Sequence, residues 1–474
     1  MQMAGYTGCV RIFKSRLTCG GLGSVTVGAE RRAVNLIDGE TLGDSERARI
    51  YNRIAWRLLP LMLAGYTLAN LDRVNVAFAK LQMSKAIGLT DAMYGFGAGI
   101  FFISYALVEI PSNMALNRVG ARLWLGRIMI LWGLVSSATL FVQTPHQFYA
   151  VRLMLGIAEA GFYPGALLFL TFWFPRHVRA QAISIMLLGS SLASLLGSPI
   201  SGAVMHYLDG FAGLAGWQWL FAAEGLPATV LGIVVLIALR DRPAQAAWLD
   251  AAERDIVIGD ILAEQDAQSR ERYRFGDAFR NANVWCVVLA NFCNLSTLYG
   301  IQFWLPTIIQ KGTGGSVLKT GLIASAMALV PCIVLLVNAR HSDRTRERRW
   351  HAVLGFCLSF AGLCLAAVFN RDIYLCLAGL LAAQCGFVIV SSTIFSLPAT
   401  FVTGAAAAAS FALITTIGNL VGYTTPYLIG ILHQATGGFG AGFFLMAAMS
   451  VVGFVTILLT PALRRTREAD VRTR

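Results

Sequence analysis

An aspartate and an arginine stand side by side, Asp72 and Arg73, within the apolar stretch LLPLMLAGYTLANLDRVNVAFAK at Leu58–Lys80. A charged side chain at the centre of a bilayer costs roughly 2.5–3.5 kcal/mol on insertion scales, so such a pair rarely sits there without a task. Tyr66, Asn70 and Arg73 recur at i, i+4 and i+7, which places them on one helix face, with Asp72 turned away from it. This polar stripe must face a protein interior or a water-filled cavity. Arg152 and Glu159 are seven residues apart, two turns along one face, so both can point into the same cavity. Two carboxylates and two guanidiniums can couple a proton to an anion. Burial favours a neutral acid, while a nearby arginine favours the carboxylate. An arginine that exchanges its protein carboxylate for a substrate carboxylate therefore links proton uptake to anion binding. The planar guanidinium fork suits that grip. The same four groups could instead be salt bridges that only hold helices together.

The elements that must position these groups follow from composition. The 474-residue chain is 56% hydrophobic and 13% charged, with a mean hydropathy of +0.63. A soluble domain is about 25% charged, so these values describe a polytopic membrane protein. Spans are predicted at 58–79, 93–115, 123–143, 148–172, 180–207 and 217–239, then at 284–309, 318–338, 351–369, 372–394, 403–432 and 439–461. Each is near or above the ~20 residues needed to cross the hydrocarbon. The expected fold is an all-α membrane protein of 12 transmembrane helices in two six-helix halves, 51–239 and 284–463.

The net charge of +13 is spread over short loops. One set of loops is arginine-rich (Arg118/Arg122, Arg176/Arg179, 240–283, Arg340–Arg349), and the alternate set is nearly uncharged. The positive-inside rule accounts for this without a nucleic-acid partner and puts both termini in the cytosol. The weak point is loop 80–92, which would carry Lys80 and Lys85 on the outer side.

Residues 240–283 read as a cytosolic linker too short for its own core, with helical character at Trp248–Arg254. Residues 1–50 are glycine-rich, lack the apolar run of a signal peptide and read as a flexible cytosolic tail; 464–474 form a second tail. Seven of the nine cysteines lie in apolar segments of the second half, with no metal-ligand spacing and no disulfide framework. His206, His341, His351 and His433 fall near span ends and read as solvated. No catalytic arrangement appears, so an enzyme is not expected.

Three features together resemble the major facilitator superfamily: twelve spans, a central linker, and related loops after spans two and eight. Those loops are Asn117-Arg118-Val-Gly120-Ala-Arg122 and Ser342-Asp343-Arg344. Within it the chain looks like the anion:cation symporter family of proton-coupled permeases for sugar acids, tartrate and phthalate. The matching runs are Leu71-Asp72-Arg73-Val74-Asn75, Ile110-Pro111-Ser112-Asn113, the stretch from Arg152 through Gly156, Glu159 and Gly161 to Pro164, and that from Gly418-Asn419 through Pro426 to Gly430. The resemblance covers about residues 50–463. It implies that Asp72 and Glu159 take part in proton coupling and that Arg73 and Arg152 hold the anion. Tyr105 matches a position that lines the binding site. Asn70, Ser190, Gln302, Ser391 and Asn419 are the further substrate-binding candidates, Asn419 foremost because it sits in the matched Gly-Asn motif. Glu109, one turn after Tyr105 and near the cytosolic end, reads either as a further polar contact of the site or as a structural or gating residue. Arg118, Arg122, Asp343 and Arg344 look like cytosolic gate contacts. Asn70 stands where family members often carry tyrosine, which alters the pocket.

The expected activity is import of an organic anion by proton symport across the inner membrane, by a monomer that needs no cofactor beyond the proton gradient. The alternatives are a drug or cation exporter of the same superfamily, and a membrane receptor that binds without transporting.

Overall fold

The computed structural model describes residues 44–268, 277–345, 347–394, 397 and 404–460. The chain divides into two units, Met1–Arg53 and Ile54–Arg474, and the helices that carry the site belong to the second. Of the predicted tails, 1–50 and 464–474, residues 1–43 and all of 464–474 lie outside the described residues, and 44–50 are helical.

Among the described residues, eleven helices are long and apolar enough to cross a membrane. In chain order they begin with α1 (Asp44–Ile87), α2 (Asp91–Val119) and α3 (Ala121–Ala138). The fourth span is broken into α4 (Pro145–Glu159) and α5 (Phe162–Thr171). Then come α6 (Arg176–Tyr207) and α7 (Gly216–Ala238). The linker forms α8 (Ala251–Gln268) and the short α9 (Asp277–Arg280). The later spans are α10 (Ala282–Thr313), α11 (Val317–Thr345), α12 (Arg349–Val368) and α13 (Ile373–Ile394). They end with α14 (Gly404–Asn419), α15 (Val421–Thr436) and α16 (Gly440–Leu459). The eleventh predicted span, 403–432, is thus shared by α14 and α15, 16 residues each, which meet at Leu420. This chain is an integral membrane protein. Only structures that satisfy every backbone group internally cross lipid, and these helices do so.

Helix α3 packs along α7, and α12 along α13 and α16. Two crossings join early helices to late ones, α2 with α15 and α6 with α11. With no hydrophobic driving force between helices in lipid, small residues that admit close backbone approach hold such crossings. A Cβ on Gly99 of α2 would stand 2.8 Å from the Tyr423 Cα of α15. One on Gly202 of α6 would stand 2.9 Å from the Val317 carbonyl of α11.

Loop 80–92 is corrected. Helix α1 runs to Ile87, and Thr90 Oγ1 caps α2 by accepting from the Met93 amide (3.2 Å). Lys80 is therefore a buried helix residue, not a loop charge, and no longer counts against the loop polarity. The linker helix α8 packs on the arginine-rich end. Glu264 accepts from Arg179 Nη2 (2.8 and 3.0 Å) and from the Arg176 amide (2.8 Å), and Trp248 stacks on Trp173.

Candidate functional site

The break between α4 and α5 is dictated locally. Pro164 has no amide hydrogen to give the carbonyl of Ala160, four residues earlier. Gly161 takes φ +89°, a left-handed conformation suited to glycine. The freed Ala160 carbonyl accepts instead from Ser112 Oγ of α2 (2.7 Å), whose oxygen in turn accepts from Trp124 Nε1 (3.0 Å). Glu159 is the last residue before this break and is fully buried.

Arg73 donates to Glu159 Oε1 through Nη2 (2.6 Å) and Nε (3.1 Å), while Oε2 has no partner. The Arg73 guanidinium lies 5.6 Å from the Phe101 ring centre and 5.4 Å from that of Tyr105. Arg152 lies against Phe101 too (5.0 Å), and its Nη2 donates to the Ala98 carbonyl (3.2 Å). Asp72 is not paired with its neighbour Arg73. Its Oδ1 accepts from Ser136 Oγ and from Asn75 Nδ2 (3.0 Å).

A cavity of about 830 Å³ lies beside these groups. Arg73, Asn70, Tyr105, Ser190, Gln302, Ser391 and Asn419 all line it, bringing residues far apart in the chain to one space. Asn70 donates to the Tyr66 carbonyl (2.7 Å), Ser190 to that of Leu187 (3.0 Å), and Tyr299 to Asn419 Oδ1 (3.3 Å). Ser391 Oγ accepts from Asn294 Nδ2 (2.9 Å). Asp72, Glu159 and Arg152 do not line the cavity. The expectation that Arg152 and Glu159 both point into it is corrected. Arg152 packs on the Phe101 ring, and Glu159 is bound by the Arg73 guanidinium, which does reach the cavity wall. On α2 the lining runs from Tyr105 to Glu109, toward the end that carries the arginine-rich loop, while on α6 and α11 it is centred on mid-helix (184–198 and 324–335) and on α14 it reaches Asn419 at the junction with α15.

Glu109 and Tyr163 also line the cavity and were not among the binding candidates. Glu109 Oε2 accepts from Thr416 Oγ1 of α14 (3.4 Å), and Tyr163 faces Tyr66 with ring centres 5.4 Å apart. The signal for Glu109 was its place one turn after Tyr105 on one face. Tyr163 had none, because its direction is set by the break at Gly161.

At the opposite ends of α1, α2, α10 and α15 a charged cluster closes the helices together. Lys80 Nζ bonds Asp91 Oδ1 (2.7 Å) and lies 4.5 Å from the Trp304 ring centre. Asp91 Oδ2 bonds His433 Nδ1 (2.7 Å), whose Nε2 faces Lys311 Nζ (3.4 Å). The expectation of a solvated His433 is corrected, because Trp304 and Phe439 bury it.

The four residues expected at a cytosolic gate separate. The Arg122 amide donates to Asp241 Oδ1 (2.7 Å) and its Nε to the Leu236 carbonyl (2.6 Å), which docks the loop on the segment after α7. Arg118 and Arg344 are exposed at helix ends. The Asp343 side chain lies outside the described ones.

Comparisons with known proteins agree with this architecture. The model of the Major Facilitator Superfamily matches residues 62–426. An Agrobacterium vitis protein named "Putative tartrate transporter" is 40% identical over 437 residues, covering 92% of this chain and 96% of that one. A Pseudomonas putida protein named "Putative metabolite transport protein NicT" is 38% identical over 413 residues, with 87% and 94% covered. The crystal structure of a D-xylose-proton symporter shares the fold, at a TM-score of 0.69 and 15% identity over 86% of this chain and 99% of its own. Broken helices and buried charges around a central cavity, in a chain matched over most of its length, identify a transporter and not an enzyme: the chain belongs to the Major Facilitator Superfamily.

Proposed function

We propose that this chain imports an organic carboxylate together with protons, by alternating access of two six-helix halves, 51–239 and 284–463, tied by the linker 240–283. The observation that carries the reading is the Arg73–Glu159 pair, with the guanidinium at the cavity wall and the buried carboxylate bound to it. A substrate carboxylate that takes the guanidinium leaves Glu159 without its counter-charge, and a buried lone carboxylate then takes up a proton. Asp72 is the second proton carrier. Asn419, Gln302, Tyr105, Asn70, Ser190 and Ser391 supply neutral hydrogen-bonding groups to the rest of the anion, and Arg152 supports the site by packing on Phe101. The similarity to a tartrate transporter favours a small hydroxy-dicarboxylate or sugar acid. The cluster of Lys80, Asp91, His433 and Lys311 would close the outer side, while Arg118, Arg122, Asp343 and Arg344 would act at the cytosolic side. Both termini are assigned to the cytosol, the membrane is the inner one, and the unit is a monomer driven by the proton gradient alone.

The four cavity tyrosines, Tyr66, Tyr105, Tyr163 and Tyr299, also suit an exporter of aromatic drugs. An anchoring guanidinium in the same wall favours an anion.

The test is uptake into proteoliposomes of labelled tartrate, sugar acids and aromatic carboxylates under an inward proton gradient. The expected result is accumulation in wild type that Asp72→Asn and Glu159→Gln both lose while counterflow survives. Uphill transport by both variants, or accumulation of no anion, would overturn the reading.

A further inference from the structure

Glu224 of α7 belongs to none of the groups above, yet it is buried as deeply as they are (5% exposed). Its Oε1 accepts from Ser201 Oγ of α6 (2.8 Å), and its Oε2 has no partner. On α1, Asn75 is fully buried; it gives Nδ2 to Asp72 Oδ1 (3.0 Å), and its own Oδ1 has no donor. The side chain of Asn75 also interacts with Glu224, and Asp72 and Glu224 interact electrostatically. Asp72 Oδ2 is a third buried acceptor without a donor. Arg152 interacts with Asp72 from the other side and is engaged by the Ala98 carbonyl.

An ionised Glu224 and an amide oxygen are both pure acceptors, so together they leave two lone-pair sets unmatched in a dry interior. Each such buried group costs about 1–3 kcal/mol, more when charged. A protonated carboxyl is a donor and an acceptor at once. One proton on Glu224 Oε2 removes the buried charge, while Oε1 keeps its bond from Ser201. Ser198 lines the cavity, and Ser201 follows it one turn later on the same helix.

From this we infer that Glu224 is a proton-binding site, linked to Asp72 through Asn75 and reached from the cavity along Ser198 and Ser201. The step is simple protonation: one O–H bond forms at Glu224 Oε2 on loading and breaks on release. The inference deepens the proposed proton symport, giving it a third carboxyl, but its first test does not depend on transport.

Infrared difference spectra of the purified full chain in lipid report buried carboxylic acids by their C=O stretch and its shift in D2O. Wild type at neutral pH is expected to show a protonated-acid band that Glu224→Gln removes. Ser201→Ala, which keeps the acid but removes a donor to it, should shift that band, and this arm stands even if Glu224→Gln fails to fold. A band unchanged in both variants would overturn the inference. So would a wild-type band that sodium chloride abolishes and potassium chloride spares, since the ligand would then be sodium. Tartrate uptake is measured beside it. Wild type that shows the band but accumulates no carboxylate defeats only the symport reading. Loss of both band and accumulation in Glu224→Gln supports the two together.

Discussion

Arg73 spends both of its contacts on one oxygen of Glu159, Nη2 at 2.6 Å and Nε at 3.1 Å, and leaves the other oxygen bare. A parallel two-oxygen fork would be a stronger lock. In the proposed cycle a ligand carboxylate that engages the guanidinium more fully replaces this pair.

Removing one partner strands a buried charge. Arg73→Gln is expected to destabilise the protein by about 3–5 kcal/mol, and the double variant Arg73→Gln/Glu159→Gln to recover much of that loss. Thermal denaturation in detergent checks it; equal losses in single and double variants would show that the two side chains are not coupled. Arg73→Lys keeps the charge but not the fork, and a rise of about tenfold in KM for a transported carboxylate is expected in uptake assays.

Cys332 lines the cavity at the middle of α11, and the Lys80–Asp91–His433 cluster lies at the helix ends away from the arginine-rich loops. A membrane-impermeant maleimide should label it in inverted vesicles and spare it in right-side-out vesicles, with Cys332→Ser as the blank. Asp91→Asn weakens the Lys80–Asp91–His433 closure and should raise labelling from the opposite side. Labelling that is equal from both sides in wild type would refute a closed outer end.

The helix break beside Glu159 depends on Gly161 and Ser112. Gly161→Ala forces a side chain into a left-handed backbone and sets its Cβ 2.7 Å from Ser112 Cβ, so it is expected to cost more than the about 1–2 kcal/mol of the backbone conformation alone. Ser112→Ala strands the Ala160 carbonyl and Trp124 Nε1, at about 1–3 kcal/mol. Thermal shifts measure both; a neutral Ser112→Ala would mean the freed carbonyl finds another donor.

Asn419 and Tyr299 join α14 to α10 at the cavity wall. Tyr299→Phe removes one hydrogen bond, worth about 0.5–1.5 kcal/mol, and should raise KM by no more than about tenfold with expression unchanged. Loss of folded protein would assign the pair to packing instead of binding.

The chain alone determined the membrane class, the positions of the apolar runs and the stripe of Tyr66, Asn70 and Arg73, because hydropathy and helical periodicity are local properties. It also marked Asp72, Glu159 and Arg152 as costly in lipid and therefore purposeful. Partner choice was decided only by tertiary structure. Adjacent charges on one helix, Asp72 and Arg73, point to different neighbours, so Arg73 meets Glu159 from 86 residues away and Asp72 meets Ser136. Lys80 and His433 read as interfacial by position, and only packing beside Trp304 reveals one buried cluster with Asp91. Glu224 stands alone in its own segment, GWQWLFAAEGLPATV, and acquires meaning when α6 and α1 bring Ser201 and Asn75 against it. Periodicity fixes which face a side chain occupies, but what that face meets is set by helix crossings, and those are determined by the whole chain at once.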